Sequence, residues 1–506
     1  MQQVTSPSLR KVGMGTKLAY GFGSIAYGIK DNGFQTLLLL YYNQVVGLRA
    51  DLVGLAILIA LVIDAFVDPI VGHYSDHLRS GWGRRHPFMY AAAVPVGLLY
   101  LLLWNPPTGN QMVTLAYLVG VAIAVRTAIS CYEVPSSALA PELTADYGER
   151  TSVLGYRYLF GWAGGMVMTL LTFIVLLAPT AAYPNGQLNP AGYHTYAWIA
   201  AIAMTGAILI SSLGTHDQIK FLPRANVART TLSETFRGIG RTLGNKAFLM
   251  LFISGVFGFT AQGLTFALSV YINTYFWVFP ARILGLFIIA VMLGMMIAFG
   301  IASYGTRHWG KRQTAVTVMI LYPLFGILPF GLRYAGILPA NGDPLLFPLL
   351  MINTTIATAF GVAGAILSAS MMSDVVEDAQ QRTGQRSEGL YFAGMFFMQK
   401  CVSGLGLYLT GVILGLVHFP IGATPGSVTP GILRDLVTTY GASLIALGML
   451  AAWFVHLFPL GGRAEHERRI AELAHAESHA APLPGGEAEF PGEETGIPDG
   501  RLSPAE

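Results

Sequence analysis

The sequence predicts an all-α membrane protein with twelve transmembrane helices in two halves of six. Three observations predict it. Of 506 residues, 53% are apolar and only 11% charged, against about a quarter charged in ordinary globular chains, and the mean hydropathy is +0.55. Apolar stretches near the roughly 20 residues that cross a bilayer recur along most of the chain. Finally, the polar motifs that follow the second and fourth stretches return, altered, after the eighth and tenth.

The first half holds six segments, at approximately 17–44, 51–74, 87–105, 111–137, 152–178 and 194–214. The first carries Lys30 and Asp31 and ends in Tyr41, Tyr42 and Asn43. The second carries Asp64 and Asp68 and runs into "GHYSDHLRSGWGRR" (Gly72 to Arg85). Arg126, Ser130 and Glu133 lie in the fourth. The fifth holds Arg157, with Gly161 and Gly165 forming a small-xxx-small pair that reads as a close helix contact. A polar break at 215–245, with Lys220, Arg224, Arg229, Arg237 and Arg241, separates the halves.

The second half occupies 246–274, 281–303, 313–331, 345–372, 389–417 and 430–459. Its first segment ends in "YINTYFWVF" (Tyr271 to Phe279), which reads as an aromatic belt at the membrane interface. After the second comes "ASYGTRHWGKRQ" (Ala302 to Gln313), a worn copy of the earlier basic turn. The fourth ends in "SDVVEDAQQRTGQRSEGLYF", which parallels "PELTADYGERTSVLGYR" in the first half; each is an acidic stretch turning basic. Lys400 lies in the fifth. The tail, 460–506, opens with a short charged helix-like run, then becomes rich in Pro, Gly and Glu and reads as largely disordered.

Lys and Arg set the orientation. Only Arg49, Arg282, Arg333 and Arg434 lie near the side of the loops after odd-numbered segments; the basic residues outside the apolar segments otherwise gather in the termini and the even-numbered loops. Both termini, including 1–16, are therefore expected in the cytoplasm, with no signal peptide. Cys131 and Cys401 both fall inside segments, which indicates neither a disulfide framework nor a zinc site. The pI near 8.7 reflects the inside-positive loops and does not speak for a nucleic-acid partner.

Charges inside the apolar segments cost several kcal/mol, by order of magnitude, unless they face a cavity or a partner. They are Lys30, Asp31, Asp64, Asp68, Arg126, Glu133, Arg157 and Lys400. Asp64 and Asp68, at i and i+4, share a helix face. Arg126, Ser130 and Glu133, spaced by four and three, share another. Convergence of Asp64, Asp68, Glu133 and the Ser130 hydroxyl offers hard oxygen ligands for a small cation such as Na⁺, or crowds like charges until one carboxyl holds a proton. The bland alternative is that the acids pair with Arg126 and Arg157 to lock helices. The first half is expected to hold the ionic chemistry, and the second to supply Lys400 and an apolar or aromatic wall. No H-E-x-x-H, Walker loop or G-x-S-x-G suggests an enzyme.

These residues carry a resemblance. "KDNGFQTLLLLYYNQVVG", "DAFVDPIVGHYSDHLRSGWGRRHPF" and "DVVEDAQQRTGQRSEGLYF" resemble the glycoside–pentoside–hexuronide:cation symporters of the major facilitator superfamily, over about residues 17–459. The resemblance implies a cation site at Asp64, Asp68, Ser130 and Glu133, and sugar binding at Asp31 and Arg157 beside Lys30. It also implies that Lys400 links the halves, and that Asp76 with Arg84 and Arg85 forms the facilitator gating loop. Transport of a glycoside or related sugar, coupled to Na⁺ or H⁺ and with no cofactor, is thereby expected from a plasma-membrane monomer. Ser137 stands where the family has a sugar-stacking tryptophan, Glu133 replaces an aspartate, and Arg126 is an added cation expected to compete with Na⁺ near Glu133. Two rival readings remain: a cation-dependent lysophospholipid symporter of the same fold, and a non-transporting sensor.

Overall fold

The computed structural model describes residues 11–107, 109–144, 146–222, 232–383 and 388–460, and regular structure among them is helical, without strands. The expected disordered tail beyond 460 and the first ten residues lie outside the described residues, as does part of the central loop. We number the long helices α1–α12.

The first half comprises α1 (Met14–Phe22 and Ile25–Asn32, continued through Gly33–Leu37, Leu38–Leu40 and Tyr41–Val45), α2 (Ala50–His77), α3 (His86–Leu103), α4 (Gln111–Leu143), α5 (Tyr147–Leu171 with Thr172–Leu176) and α6 (Pro190–Gly214). The second comprises α7 (Lys246–Tyr271 with Ile272–Phe276), α8 (Ala281–Trp309), α9 (Lys311–Tyr334), α10 (Leu346–Thr383), α11 (Glu388–Leu416) and α12 (Pro430–His456). Eleven of these are long and apolar enough to cross a membrane. The twelfth, α1, fails that length test only because it is broken at Gly23–Ser24 and loosened into wide π turns further on. A short helix, Leu232–Thr242, lies in the stretch between the halves.

Local chemistry starts several of these helices. Side chains of Asn110, Asp146, Asn189 and Asn245 accept backbone N–H groups at the first turns of α4, α5, α6 and α7, satisfying donors that a helix start leaves unpaired. Pro87, Pro190 and Pro430 enter the first turns of α3, α6 and α12, where a missing N–H costs nothing.

The halves repeat one packing scheme. In the first, α1 packs on α5 and α6, α2 on α4, and α3 on α4 and α6; in the second, each contact recurs six helices later. Between halves, α2 lies along α11 and α5 against α8, a pair of contacts that the same shift exchanges. Glycines permit the closest approaches. A Cβ on Gly28 of α1 would lie 2.0 Å from the Gly161 carbonyl oxygen, and one on Gly165 would lie 2.7 Å from the Gly28 oxygen. On the α2–α11 seam, a Cβ on Gly411 would fall 2.2 Å from the Ala50 oxygen.

Each half also ties its basic turn to an acidic helix end. Arg84 meets Glu142 at 2.7 Å, and Lys311 meets Asp374 at 2.6 Å in the other half.

The end of the bundle away from the N-terminus is latched between halves. Gln44 accepts from the Tyr275 hydroxyl (3.2 Å) and the Ala423 N–H (3.1 Å) and donates to the Pro420 carbonyl (3.3 Å). The Tyr271 hydroxyl donates to Asn43 (3.0 Å), and Thr274 to Gln187 (2.6 Å). Tyr271, Tyr275 and Trp277 are buried, as are Tyr41 and Tyr42. This corrects the interface reading of the aromatic run: its rings fill protein rather than mark a lipid boundary, because the opposite half covers them.

At this end α1, α5, α7 and α11 each finish with an amide that reaches back five residues: Val46 to Tyr41, Leu177 to Thr172, Trp277 to Ile272 and Phe419 to Leu414. The chain then turns through Gly47 at φ 89° after α1 and through Val278 at φ 57° after α7.

Candidate functional site

The centre of the bundle holds the charges that the sequence placed inside apolar segments, and the structure pairs them. Asp64 of α2 is 1% exposed. Its Oδ2 accepts from Arg126 Nε (3.1 Å) and Nη2 (2.8 Å), and its Oδ1 from the Ser130 hydroxyl (2.8 Å). Lys400 Nζ lies 3.3 Å from Asp64 Oδ2 and also pairs with Asp68 Oδ2, one turn along α2. Lys400 comes from α11, so this cluster joins the two halves at mid-depth. Arg126 also lies over the Phe34 ring at 5.3 Å.

A second group stands on α1, α4 and α5. Lys30, 2% exposed, pairs with Asp31 at 2.9 Å and stands 3.6 Å from Glu133 Oε2. Arg157 Nη1 donates to the Ser136 hydroxyl (2.8 Å) and Nη2 to the Glu133 carbonyl (3.3 Å). Its guanidinium lies over Tyr27 and Tyr20, at 5.3 and 5.8 Å.

Among the described residues, no three or more His, Cys, Asp or Glu side chains are arranged to hold a metal ion. In this conformation Asp64 meets Arg126 and Lys400, Asp68 meets Lys400, and Glu133 stands near Lys30. Asp31, 42% exposed, is held by Lys30, while Arg157 is spent on α4. Arg126 is the direct clamp on Asp64 rather than a distant neighbour of Glu133.

One acceptor remains over. Asp68 Oδ1 is buried and has no hydrogen-bond partner, and Glu133 Oε2, likewise without a hydrogen bond, has Lys30 at 3.6 Å. Orphaned buried carboxylate oxygens are rare and call for an explanation.

At the end that carries the basic turn, Arg85 pairs with Asp76 and also meets Glu142 at 3.0 Å and Ser75 at 2.7 Å. Asp76, Arg84 and Arg85 therefore do come together, around Glu142. Sequence reasoning missed Glu142, although it stands in "PELTADYGER", a stretch already marked by its repeat after the tenth segment.

Comparisons with known proteins agree with this architecture. The profile of the MFS/sugar transport protein family matches residues 19–462. An uncharacterized symporter of Synechocystis sp. is 28% identical, with 84% of this chain and 89% of that protein covered. An isoprimeverose transporter of Lactiplantibacillus pentosus is 24% identical, with 79% of each covered. Among solved structures, a D-xylose-proton symporter shares the fold at a TM-score of 0.61 and 14% identity, covering 88% of this chain and 97% of that one. The inward-open xylose transporter XylE of E. coli does so at 0.58 and 13%, covering 90% and 98%. Twelve helices in two related halves, with a family match across nearly all of them, establish that this chain belongs to the MFS/sugar transport protein family, a family of membrane transporters rather than enzymes.

Proposed function

We infer that the protein is a secondary active transporter that couples a sugar or glycoside to a monovalent cation, Na⁺ or H⁺, by alternating access. Both termini lie in the cytoplasm on this reading, and the latched end faces outward, so this conformation is closed to the outside. The observation that carries the reading is the Lys400 bridge from α11 to Asp64 and Asp68, beside the orphaned Oδ1 of Asp68. A cation that neutralises Asp68 leaves Lys400 with Asp64 alone and so weakens the charged link described between the halves at this depth. Cation and sugar thereby act on one equilibrium between outward- and inward-facing states, which is sufficient for coupling. Asp31 is the most exposed acid of the cluster and supplies acceptor oxygens for sugar hydroxyls. Arg157, already held by α4, positions that wall.

Of the two cations, H⁺ makes the smaller demand on this cluster. Four acids face four bases here, so Na⁺ has to compete with a base for the carboxylate oxygens, whereas a proton needs only one of them. Proteoliposomes containing the full chain test the coupling. Asp68→Asn is expected to abolish accumulation against a gradient while leaving counterflow exchange measurable. Full cation-driven accumulation by that variant removes Asp68 from the coupling site.

A further inference from the structure

The end of α2 carries a pair of imidazoles that coupling does not use. His73 and His77 stand at i and i+4 in "GHYSDH", so they share one helix face. Their ring centroids lie 4.3 Å apart, with the planes tilted by 38°. His77 is exposed and His73 half-buried, beside the polar turn at 78–85.

A hydrogen bond sets the tautomer of His77. Its Nδ1 lies 2.7 Å from the His73 carbonyl oxygen, and a carbonyl only accepts. Nδ1 therefore carries the proton, and Nε2 of the neutral ring keeps a bare lone pair. Metal-binding histidines show the same arrangement, in which the other ring nitrogen donates to a carbonyl or carboxylate and fixes the ring. His73 touches Tyr74 and His77 through its ring and has no hydrogen bond among the described residues, so its nitrogens are uncommitted.

The second half holds a counterpart. At the end of α8, His308 Nδ1 lies 2.9 Å from the Tyr304 carbonyl, and its ring stacks at 4.1 Å on the residue four positions back. That residue is Tyr304, a phenol rather than an imidazole. The second copy thus keeps the ring geometry without the second nitrogen ligand, and serves as a control within the molecule.

We propose that His73 and His77 form a two-point site for a divalent transition-metal ion that favours imidazole, namely Zn²⁺, Ni²⁺ or Cu²⁺, with water in the remaining positions. Two histidines four apart on a helix recur as a zinc-binding pair. Bonds of about 2.0–2.1 Å from each ring need only small rotations of side chains already in contact. Asp76 adds no ligand, being held by Arg85, which agrees with the absence of any larger group of metal ligands among the described residues. An ion here ties the last turn of α2 just before the chain leaves the helix at Leu78, and so stabilises the folded protein by mass action. The site does not depend on which substrate is carried.

Thermal-shift titration of the full-length protein, purified without a histidine tag, tests it with ZnCl₂, NiCl₂, CuCl₂ and MgCl₂. The three transition metals are expected to raise the melting temperature, Cu²⁺ at the lowest concentration, and EDTA to reverse the shift. Mg²⁺, which takes oxygen ligands, is expected to leave it unchanged. His73→Ala and His77→Ala are each expected to abolish the shift, because one imidazole forms no chelate, whereas His308→Ala is expected to keep it. His73→Gln or His77→Gln replaces an alanine variant that does not fold. With one equivalent of Cu²⁺, the electron paramagnetic resonance spectrum is expected to show two coupled nitrogens in the wild type and at most one in either single variant. No shift with any of the three ions, or a shift that survives in either single variant, overturns the site; the second result would put the ion on histidines elsewhere in the chain.

Discussion

At the scale of single residues, the eight intramembrane charges were legible because an unpaired charge in a bilayer is costly. Their partners were not. Spacing along one helix places Asp64 beside Asp68, but it says nothing about which base crosses from α4 or α11, and Arg126 meets Asp64. The guanidinium holds Asp64 at 2.8 Å, where a unit pair is worth about 4 kcal/mol or more at an effective dielectric near 20. Removing one member of a buried pair costs about 3–5 kcal/mol because the other charge is stranded. Arg126→Ala is therefore expected to lower the melting temperature in choline buffer and to regain a good part of the loss in Na⁺, as the ion takes the vacated place at Asp64. Melting curves in matched Na⁺ and choline decide it: an equal drop in both salts makes Arg126 a purely structural clamp.

At the scale of elements, all twelve segments could be read from apolar length alone, whereas the shape of α1 could not. Between its break and its π turns it meets α5, where Gly28, Gly161 and Gly165 let two backbones approach more closely than any side chain allows. The sequence carried half of that contact in Gly161 and Gly165, but Gly28 belongs to a helix far away in the chain. The run from Tyr271 to Phe279 was misread for a related reason. Its composition suits an interface as well as an interior, and only the opposite half settles which. The α2–α11 seam has the same dependence on small residues. Gly411→Leu is expected to abolish uptake, because its side chain would start 2.2 Å from the Ala50 oxygen and separate the helices that bring Lys400 to Asp68. Gly411→Ala is expected to fall between. Uptake by the leucine variant at the wild-type rate, with unchanged melting, would show that the seam is free to part there.

At the scale of the whole molecule, repeated loop motifs in the sequence announced two related halves, and the six-helix shift in the packing scheme is the same relation in three dimensions. The closed end was not legible, because a latch between halves is made of uncharged residues with no motif. Gln44 makes three hydrogen bonds across it. Leaving their partners unpaired costs about 1–3 kcal/mol, which moves a two-state equilibrium by about 5–150-fold. Gln44→Ala is expected to populate a conformation open at that end. Spin labels at Thr180→Cys and Ala340→Cys, one on each half, are expected to show an added longer distance in this variant. A distance distribution identical to that of the latched protein would mean that Gln44 does not hold the state.

Gly47 and Val278 close equivalent turns, one per half, and only one of them has the residue suited to its backbone. Two copies of one design have aged differently, and the second keeps a branched side chain where the left-handed conformation costs about 1–3 kcal/mol. Val278 is 41% exposed, so its side chain returns little of that in packing. The younger-looking copy is thus a template for repairing the other. Val278→Gly is expected to raise the melting temperature by a few degrees and Gly47→Val to lower it, as scanning calorimetry of the two variants would show. A Val278→Gly protein that melts at or below the wild type would mean that the valine is held there by something other than inheritance.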